Sequence, residues 1–437
     1  MLNRRDFLRT AGYLISAATV TQLDVARCAN VAGGDTLRVG LIGCGGRGTG
    51  AVKEILNTGP GVQLVAMADI FEDRLQTSLS TLQKTHRSQA QVTRDRQFIG
   101  FDAYQKVIES GVDAVILATP PGFRPQHFEW VANAGKHCFL EKPVAVDAPG
   151  IRRLLKANES ALQKRLSVVV GHQRRFIPGY QAVIGKIHEG LIGRISNLEA
   201  IWRQNSPIWT RKRADLDAKH GRRLSELEFQ LMNWPSFGWL AGDLALDSLS
   251  HNLDICNWIM QAAPQSVRAS CARREGLSNA YGDASDFFHA EYIYPNGATM
   301  VAEAARQKGT PPKLTEVAYG TTGTATCGTY SIVDHAGKIL WRHDGSPKVN
   351  PWQLEQDQFV ESIRSGKPLN MLNEAANTCL TCLMGRIAAT QSREVTWQEA
   401  LASSETLFPK EPLTWDTPPP TLPDKYGDYK FPAQSGA

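Results

Sequence analysis

The sequence predicts an α/β protein in two parts: a doubly wound parallel sheet, then an α+β domain with an open, mostly antiparallel sheet. Between residues 37 and 143, apolar runs alternate with helical segments, an order typical of parallel strands joined by crossover helices. After about residue 152 strand segments dominate, and "YPNGAT" places Asn296-Gly297 at the centre of a hairpin turn. These observations favour two sheets of different kinds in one chain.

The composition is that of a globular protein, with 42% hydrophobic and 21% charged residues among 437, a length that suggests two domains. The formal net charge of +5 comes without a basic block or an aromatic-interleaved patch, so we expect no nucleic acid partner. After the N-terminus no apolar run approaches the roughly 20 residues that a membrane span needs. We therefore expect no membrane span.

The first strand leads directly into a glycine cluster, "LRVGLIGCGGRGTG" at residues 37–50. In such a strand, turn and helix, Gly43 permits the tight turn, Gly45 lets the backbone approach a pyrophosphate, and Gly48 lets the helix pack on the strand. The start of the helix then offers free N–H groups to phosphates. This Rossmann pattern predicts a dinucleotide site that includes Gly46 and Arg47, and the alternative is a glycine-rich turn in an ordinary α/β sheet.

The second strand, "VQLVAMAD", ends on Asp69, whose carboxylate can accept hydrogen bonds from both ribose hydroxyls. Because a 2′-phosphate would meet that negative charge, Asp69 favours NAD, with NADP as the alternative cofactor. Ligands of doubly wound sheets bind at the carboxyl ends of the strands. The candidates at later strand ends are Thr119, Pro120, Glu141 and Lys142.

Four features together resemble the Gfo/Idh/MocA oxidoreductases, two-domain NAD(P) enzymes that act mostly on sugars and polyols. They are "VGLIGCGGRG", the "ATPP" turn, the triplet Glu141-Lys142-Pro143, and "GDLALDSLSHNLDICNW". The resemblance spans roughly residues 37–390. It implies that Lys142 lies at the nicotinamide and the substrate hydroxyl, and that Asp247 and His251 complete the catalytic group.

The residues themselves agree with this implication. Asp247 and His251 are four apart in a segment of helical periodicity, so both should lie on one helix face. Histidine can take the proton of a secondary alcohol, Lys142 can stabilise the developing alkoxide by its charge, and Asp247 can orient the imidazole or bind a second hydroxyl. The alternative for His251 is a histidine bound to the backbone at the start of a helix.

We divide the chain into an N-terminal signal and linker (1–34), an NAD(P)-binding Rossmann domain (35–152), an α+β substrate domain (153–392) and an extended C-terminal tail (393–437). In the substrate domain, "GHQRRFIPGY" supplies Arg174, Arg175 and Tyr180 as candidate contacts to a sugar or carboxylate. Surface arginines are common, so a purely structural role is the alternative for the two arginines. We expect a homo-oligomer.

The N-terminus, "MLNRRDFLRT", resembles a twin-arginine export signal and predicts a periplasmic or secreted protein that crosses the membrane folded. The alternative is a disordered N-terminus that happens to be basic. Because the periplasm supplies no appreciable NAD, an exported enzyme should carry its cofactor tightly held and regenerate it in place.

The sequence contains eight cysteines, mostly in apolar surroundings, which favours buried free thiols. The pair in "CLTC", Cys379 and Cys382, should lie on a packed helix, and the alternative for this pair is zinc or redox chemistry. We predict no metal site.

Three functional hypotheses remain open at this stage. The first is an NAD(P)-dependent oxidoreductase acting on a sugar or polyol hydroxyl. The second is a redox-neutral, NAD-dependent glycoside hydrolase of the same superfamily, which would release aglycone without net NADH. The third is a non-catalytic ligand-binding member, against which the presence of both Lys142 and His251 counts.

Overall fold

The computed structural model describes residues 36–274, 282–345, 349–410 and 412–431. The predicted export signal at residues 1–34 lies outside the described residues. Within them, no helix combines the length and apolar composition needed to cross a bilayer.

The first sheet has six parallel strands in the order β3-β2-β1-β4-β5-β6. The strands are β1 (Leu37–Ile42), β2 (Val62–Asp69), β3 (Gln97–Ile99), β4 (Ala114–Leu117), β5 (His137–Leu140) and β6 (Val168–Val170). The helices are α1 (Gly46–Leu56), α2 (Glu72–Thr85), α3 (Ala103–Glu109), α4 (Arg124–Asn133) and α5 (Ala148–Gln163). The strand order reverses between β1 and β4, the place where doubly wound sheets bind ligands. The predicted fold class is confirmed.

The first sheet extends beyond the boundary that the sequence predicts at residue 152. That residue lies inside α5, and β6, which pairs with β5, follows it. The error arises because β6 has only three residues and leads directly into the polar segment that we assign from sequence to the next domain.

The second sheet has nine strands in the order β14-β13-β12-β11-β7-β10-β9-β8-β15. The strands are β7 (Ile195–Gln204), β8 (Ser266–Ala272), β9 (Phe287–Ile293), β10 (Thr299–Arg306), β11 (Lys313–Gly320), β12 (Thr324–Thr326), β13 (Ser331–Val333), β14 (Ile339–Arg342) and β15 (Val395–Thr396). Strands β7 and β10 pair in parallel, and the other neighbouring strands in the described part of this sheet pair antiparallel. The predicted hairpin turn joins β9 to β10, with Gly297 at φ +83°.

One face of the second sheet is buried, because alternate residues such as Met300, Ala302 and Ala304 are fully covered. The helices that follow the first domain are α6 (Pro178–His188), α7 (Arg213–His220), α8 (Glu226–Met232), α9 (Gly238–Ala241), α10 (Ser250–Met260), α11 (Pro351–Arg364), α12 (Leu372–Gln391) and α13 (Trp397–Ala402). Cys379 and Cys382 are buried free thiols in α12, as predicted.

The predicted tail at 393–437 is not extended throughout. Its first residues form β15, which pairs with β8, and the short helix α13. The sequence does not reveal these elements, because the proline-rich composition of the tail begins only after them. The C-terminal arm, residues 403–431, then adds Leu413 and Tyr429 to a second core that includes Phe71 and Phe123 of the nucleotide domain.

Candidate active site

The glycine loop between β1 and α1 has two positions where a side chain would collide with the backbone. Gly43 has φ +96°, and a Cβ there would lie 2.7 Å from the carbonyl carbon of Ala118. A Cβ on Gly48 would lie 2.0 Å from the Gly43 carbonyl oxygen. Glycine is therefore required for the tight turn and for the close approach of α1 to the loop.

Gly45 and Gly46, in contrast, face open space, because a Cβ at either position would meet no atom within 4 Å. Gly45 is the N-cap of α1, and the first turn of the helix contains no acidic residue. The free N–H groups and the positive end of the helix dipole therefore face an open cradle that suits the pyrophosphate of a dinucleotide.

Asp69 lies at the carboxyl end of β2, where the sequence places the ribose carboxylate. Its two oxygens accept hydrogen bonds from the backbone N–H groups of Cys44, at 2.7 Å, and Phe71, at 2.9 Å. Burial raises the pKa of Asp69, and these hydrogen bonds oppose that rise. The carboxylate is thus attached to the glycine loop, beside the place where a ribose would lie.

Arg47 does not extend into the open cradle. Its guanidinium donates to Glu141, at 2.7 Å, and to Glu54, at 2.6 Å. Arg47 and Glu141, both predicted to contact the cofactor, therefore bind each other and tie the glycine loop to the end of β5.

A residue that the sequence analysis misses connects the other predicted strand ends. Arg124 is 4% exposed and donates to the backbone carbonyls of Thr119, at 2.8 Å, Glu141, at 2.8 Å, and Pro143. Burial lowers its pKa to about 10, still far above neutral pH. Arg124 thus fixes the turn that contains Thr119 and Pro120 against the loop that carries Lys142.

Lys142 reaches from the end of β5 to the second domain. Its Nζ donates to the backbone carbonyl of Asp247 at 2.5 Å. Burial lowers the pKa of Lys142, while the carboxylates of Asp247 and Glu141 oppose that change. The ammonium is therefore fixed at the junction of the two domains.

Asp247 and His251 lie in one continuous helical segment, but not in a regular α-helix as predicted. Asp247 belongs to a π-helical turn, Ala245–Leu249, that runs directly into α10. Such insertions are frequent at functional sites, and periodicity alone does not distinguish them from α-helix. The Asp247 carboxylate is 3.8 Å from the guanidinium of Arg306.

His251 is held between aromatic rings beside Lys142. Its imidazole stacks on the indole of Trp202, with ring centroids 5.5 Å apart and planes 18° apart. Burial lowers the pKa of His251 well below its ordinary value, and the positive charges of Lys142 and Arg174 lower it further. The neutral imidazole, which can accept a proton, is therefore the stable form near neutral pH.

A second buried histidine lies next to His251. The His172 ring is 6.4 Å from the His251 ring in an edge-to-face arrangement, and its Nδ1 is 3.3 Å from Asp254. Burial lowers the pKa of His172 to about 4. Neither residue is singled out by the sequence: His172 is one polar residue of "GHQRRFIPGY", and Asp254 lies one helical turn after His251.

The three predicted substrate contacts are all bound to internal carboxylates. Arg175 forms a two-bond ion pair with Asp254, at 2.7 and 2.9 Å. Arg174 pairs with Glu316, and the Tyr180 hydroxyl, in a residue only 7% exposed, donates to the same carboxylate. This arrangement differs from the predicted direct contact with a substrate, because the motif alone does not reveal buried acids on α10 and β11.

Two family models match the chain. Residues 37–172 match "Oxidoreductase family, NAD-binding Rossmann fold", and residues 180–326 match the GFO/IDH/MocA C-terminal domain. Inositol 2-dehydrogenase of Burkholderia cenocepacia, strain HI2424, is 29% identical over 351 residues, which cover 76% of this chain and 87% of the relative.

Two solved structures share the fold. Scyllo-inositol dehydrogenase of Lactobacillus casei, with bound NAD(H) and scyllo-inositol, has a TM-score of 0.61 at 20% identity and covers 83% of this chain and 100% of its own. Aldose-aldose oxidoreductase of Caulobacter crescentus has a TM-score of 0.63 at 16% identity, covering 83% and 99%. The family models cover the first sheet, strands β7 to β12 of the second sheet, and Lys142, Asp247 and His251, so this chain belongs to the Gfo/Idh/MocA family of NAD-binding oxidoreductases.

Proposed function

We propose that this protein is an NAD-dependent oxidoreductase that transfers hydride between a sugar or polyol hydroxyl and the nicotinamide. The observation that carries the proposal is the contact of Lys142 Nζ with the Asp247 backbone carbonyl, because it brings an ammonium from the end of β5 to the helical segment that carries both Asp247 and His251. The kinship with an inositol 2-dehydrogenase supports a polyhydroxy substrate. When bound, NAD supplies the hydride acceptor.

The residues provide the complementary proton chemistry. Neutral His251 can accept the hydroxyl proton, and Lys142 can stabilise the negative charge that develops on the oxygen. Trp202 holds the imidazole by stacking, which limits its rotation. The site thus supplies a base, a cation and an adjacent acid, Asp247, that can bind a second hydroxyl.

The test is the substitution Lys142→Met, which keeps the apolar length of the side chain and removes its charge. With myo-inositol and a panel of aldoses, we expect the rate of NADH formation to fall by about 10²–10³. Nucleotide affinity should stay within a few-fold of wild type. Lys367→Met, at an exposed surface position, is the matched control and should keep full activity. Full activity in Lys142→Met would contradict the proposal.

We propose further that the cofactor is tightly held and regenerated in the same pocket. The contacts of the C-terminal arm support this: Trp415 packs on Phe71, two residues after Asp69, and on Phe101, with ring centroids 5.8 and 4.9 Å apart. Mass spectrometry of protein purified without added nucleotide should find near-stoichiometric NAD. Protein that emerges empty would contradict tight retention.

We infer from Arg4-Arg5 that residues 1–34 direct export of the folded, cofactor-loaded protein to the periplasm. The test is cell fractionation of the full chain and of a variant with both arginines changed to lysine. We expect the wild type in the periplasm and the variant retained inside the cell. Equal distribution of the two proteins would count against this route.

We also propose a homo-oligomer that forms through the second sheet. On its outer face Val301, Val317 and Tyr319 remain partly exposed, although their neighbours in sequence are buried. Sedimentation velocity should find a dimer or larger assembly, which the substitution Val317→Arg should dissociate. A monomeric wild type would contradict the proposal.

A further inference from the structure

A cavity adjoins the catalytic group at Arg306. It has a volume of about 210 Å³ and lies where β10 ends, with Pro207 and Ile208 forming part of its wall. Arg306 connects this cavity to the candidate active site, because its Nη1 is 3.8 Å from the Asp247 carboxylate, whose backbone carbonyl accepts the bond from Lys142. A substituent of a substrate bound at Lys142 could therefore extend into this cavity.

The lining of this cavity is strongly positive. Its charged residues are three cations, Arg274, Arg306 and Lys308, and one acid, Asp286. Asp286 is already used within the fold, since its Oδ1 accepts from the Arg274 backbone N–H, at 3.2 Å, and from the Gln307 side chain, at 2.9 Å. With the Asp247 carboxylate beside Arg306 counted as well, the three cations still exceed the two carboxylates by one charge.

Arg306 also has an unsatisfied donor. Its Nε is buried and has no hydrogen-bond partner within the described part of the chain, whereas its Nη2 donates to the Pro207 carbonyl at 3.4 Å. Leaving a buried N–H unpaired costs about 1–3 kcal/mol, so such a group is commonly explained by a ligand or an ordered water. The shielded Nε does not itself face the cavity, but a planar guanidinium in a lining with more cations than carboxylates suits an anion.

We propose that this cavity binds an anionic substituent of the substrate, so that the preferred substrates are acidic sugars rather than neutral polyols. The inference rests on the proposed oxidoreductase function and specifies its substrate class. Arg306, Arg274 and Lys308 would be the specificity-determining residues. A carboxylate and a phosphate share the required charge and acceptor oxygens, and binding measurements with one ligand of each kind distinguish them.

The experiment measures equilibrium binding of D-glucose, D-glucuronate and D-glucose 6-phosphate to the NAD-loaded full chain by calorimetry at low salt. We expect at least one of the two anions to bind about tenfold or more tightly than glucose, a ratio that should shrink as salt rises. The anion with the larger ratio identifies the substituent. In the double variant Arg274→Gln/Lys308→Gln the ratio should fall toward one.

Lys338→Gln, on an exposed hairpin turn of the same domain, removes one positive charge away from the cavity and should keep the wild-type ratio. Wild-type protein that binds neither anion better than glucose would overturn the inference, as would a ratio that survives in the double variant. NADH formation from the neutral panel tests the oxidoreductase function separately. Turnover of neutral sugars without a preference for anions would therefore refute only this inference.

Discussion

At the scale of single residues, the proposed role of His251 as the base predicts how activity should depend on pH. Burial and the nearby positive charges lower its pKa well below its ordinary value of about 6.5. A base with a lowered pKa keeps its proton-accepting form at lower pH, so kcat/KM for alcohol oxidation should begin to fall only below about pH 6.5. The pKa of Lys142 is lowered as well, so the alkaline limb should begin below its ordinary value of about 10.4.

The substitution His251→Asn tests this assignment. It should lower kcat/KM by about 10²–10⁴ and remove the acid limb from the remaining activity, because asparagine does not titrate. The measurement is a pH profile of NADH formation for both proteins, with nucleotide binding as the control for folding. A wild-type acid limb above pH 6.5, or one that persists in the variant, would contradict the role of His251.

Asp254 stabilises the same region through its bonds to neighbouring side chains. Its side chain is 1% exposed and binds Arg175, Thr378 and His172. Burial alone would raise its pKa, but Arg175 and His172 outweigh that effect and the pKa is lowered. The buried charge of Asp254 is therefore stabilised by its partners, and Asp254 in turn balances the charge of Arg175.

We predict that Asp254→Asn lowers the free energy of unfolding by about 3–5 kcal/mol, because it leaves the charge of Arg175 buried without its partner. Urea unfolding measures the loss. The comparison is Glu189→Gln, which breaks the exposed Lys186–Glu189 pair and should cost only about 0–1 kcal/mol. Equal effects of the two substitutions would indicate that the buried pair contributes no more than a surface pair.

At the scale of elements, substitutions in the loop from β1 to α1 should affect either stability or cofactor binding, depending on which glycine is changed. A methyl group on Gly48 would overlap the Gly43 carbonyl, whereas one on Gly45 would enter open space. Gly48→Ala should therefore displace α1 and lower the melting temperature. Gly45→Ala should leave the melting temperature of the nucleotide-free protein nearly unchanged and weaken NAD binding by about tenfold or more, because the methyl group occupies the path of the pyrophosphate.

Thermal unfolding of nucleotide-free protein and calorimetry with NAD distinguish the two effects. Gly59→Ala would be a poor control, because Gly59 has φ +151°. Gly185→Ala is suitable, since that glycine lies in α6 and a methyl group added to it would meet no atom within 4 Å. If Gly45→Ala binds NAD as tightly as this control, the pyrophosphate does not lie at the glycine loop.

At the same scale, the sequence could predict only what lies close together along the chain. The glycine loop, Lys142 and the Asp247–His251 spacing are local patterns whose chemistry follows from a few consecutive residues. Arg124 acts through backbone carbonyls that lie 5, 17 and 19 residues along the chain, and Trp202 acts through its stacking on His251, so no pattern of consecutive residues identifies either. From sequence, Arg175 is predicted to contact a substrate. Its partner in the structure is Asp254, which lies 79 residues away, and only the packing of α10 brings the two together.

At the scale of the whole molecule, the C-terminal arm crosses from the second domain to the nucleotide domain. Phe408 contacts Phe123, and Trp415 contacts Phe71 and Phe101. Phe71 and Phe101 lie just after the carboxyl ends of β2 and β3. These aromatic contacts bury apolar surface near Asp69 and brace the side of the site where a ribose would bind. Release of a nucleotide should therefore require the arm to loosen.

This arrangement predicts that Trp415→Ala keeps the catalytic group but releases NAD faster. The dissociation rate should rise by about tenfold, since removal of a partly exposed aromatic contact typically costs about 1–2 kcal/mol at an interface. Stopped-flow fluorescence of NADH displaced by excess NAD measures the rate, and mass spectrometry should find less NAD in the purified variant. Trp352→Ala removes a similarly exposed indole from α11 and should change neither quantity. Unchanged release from Trp415→Ala would indicate that the arm stabilises the fold but does not retain the cofactor.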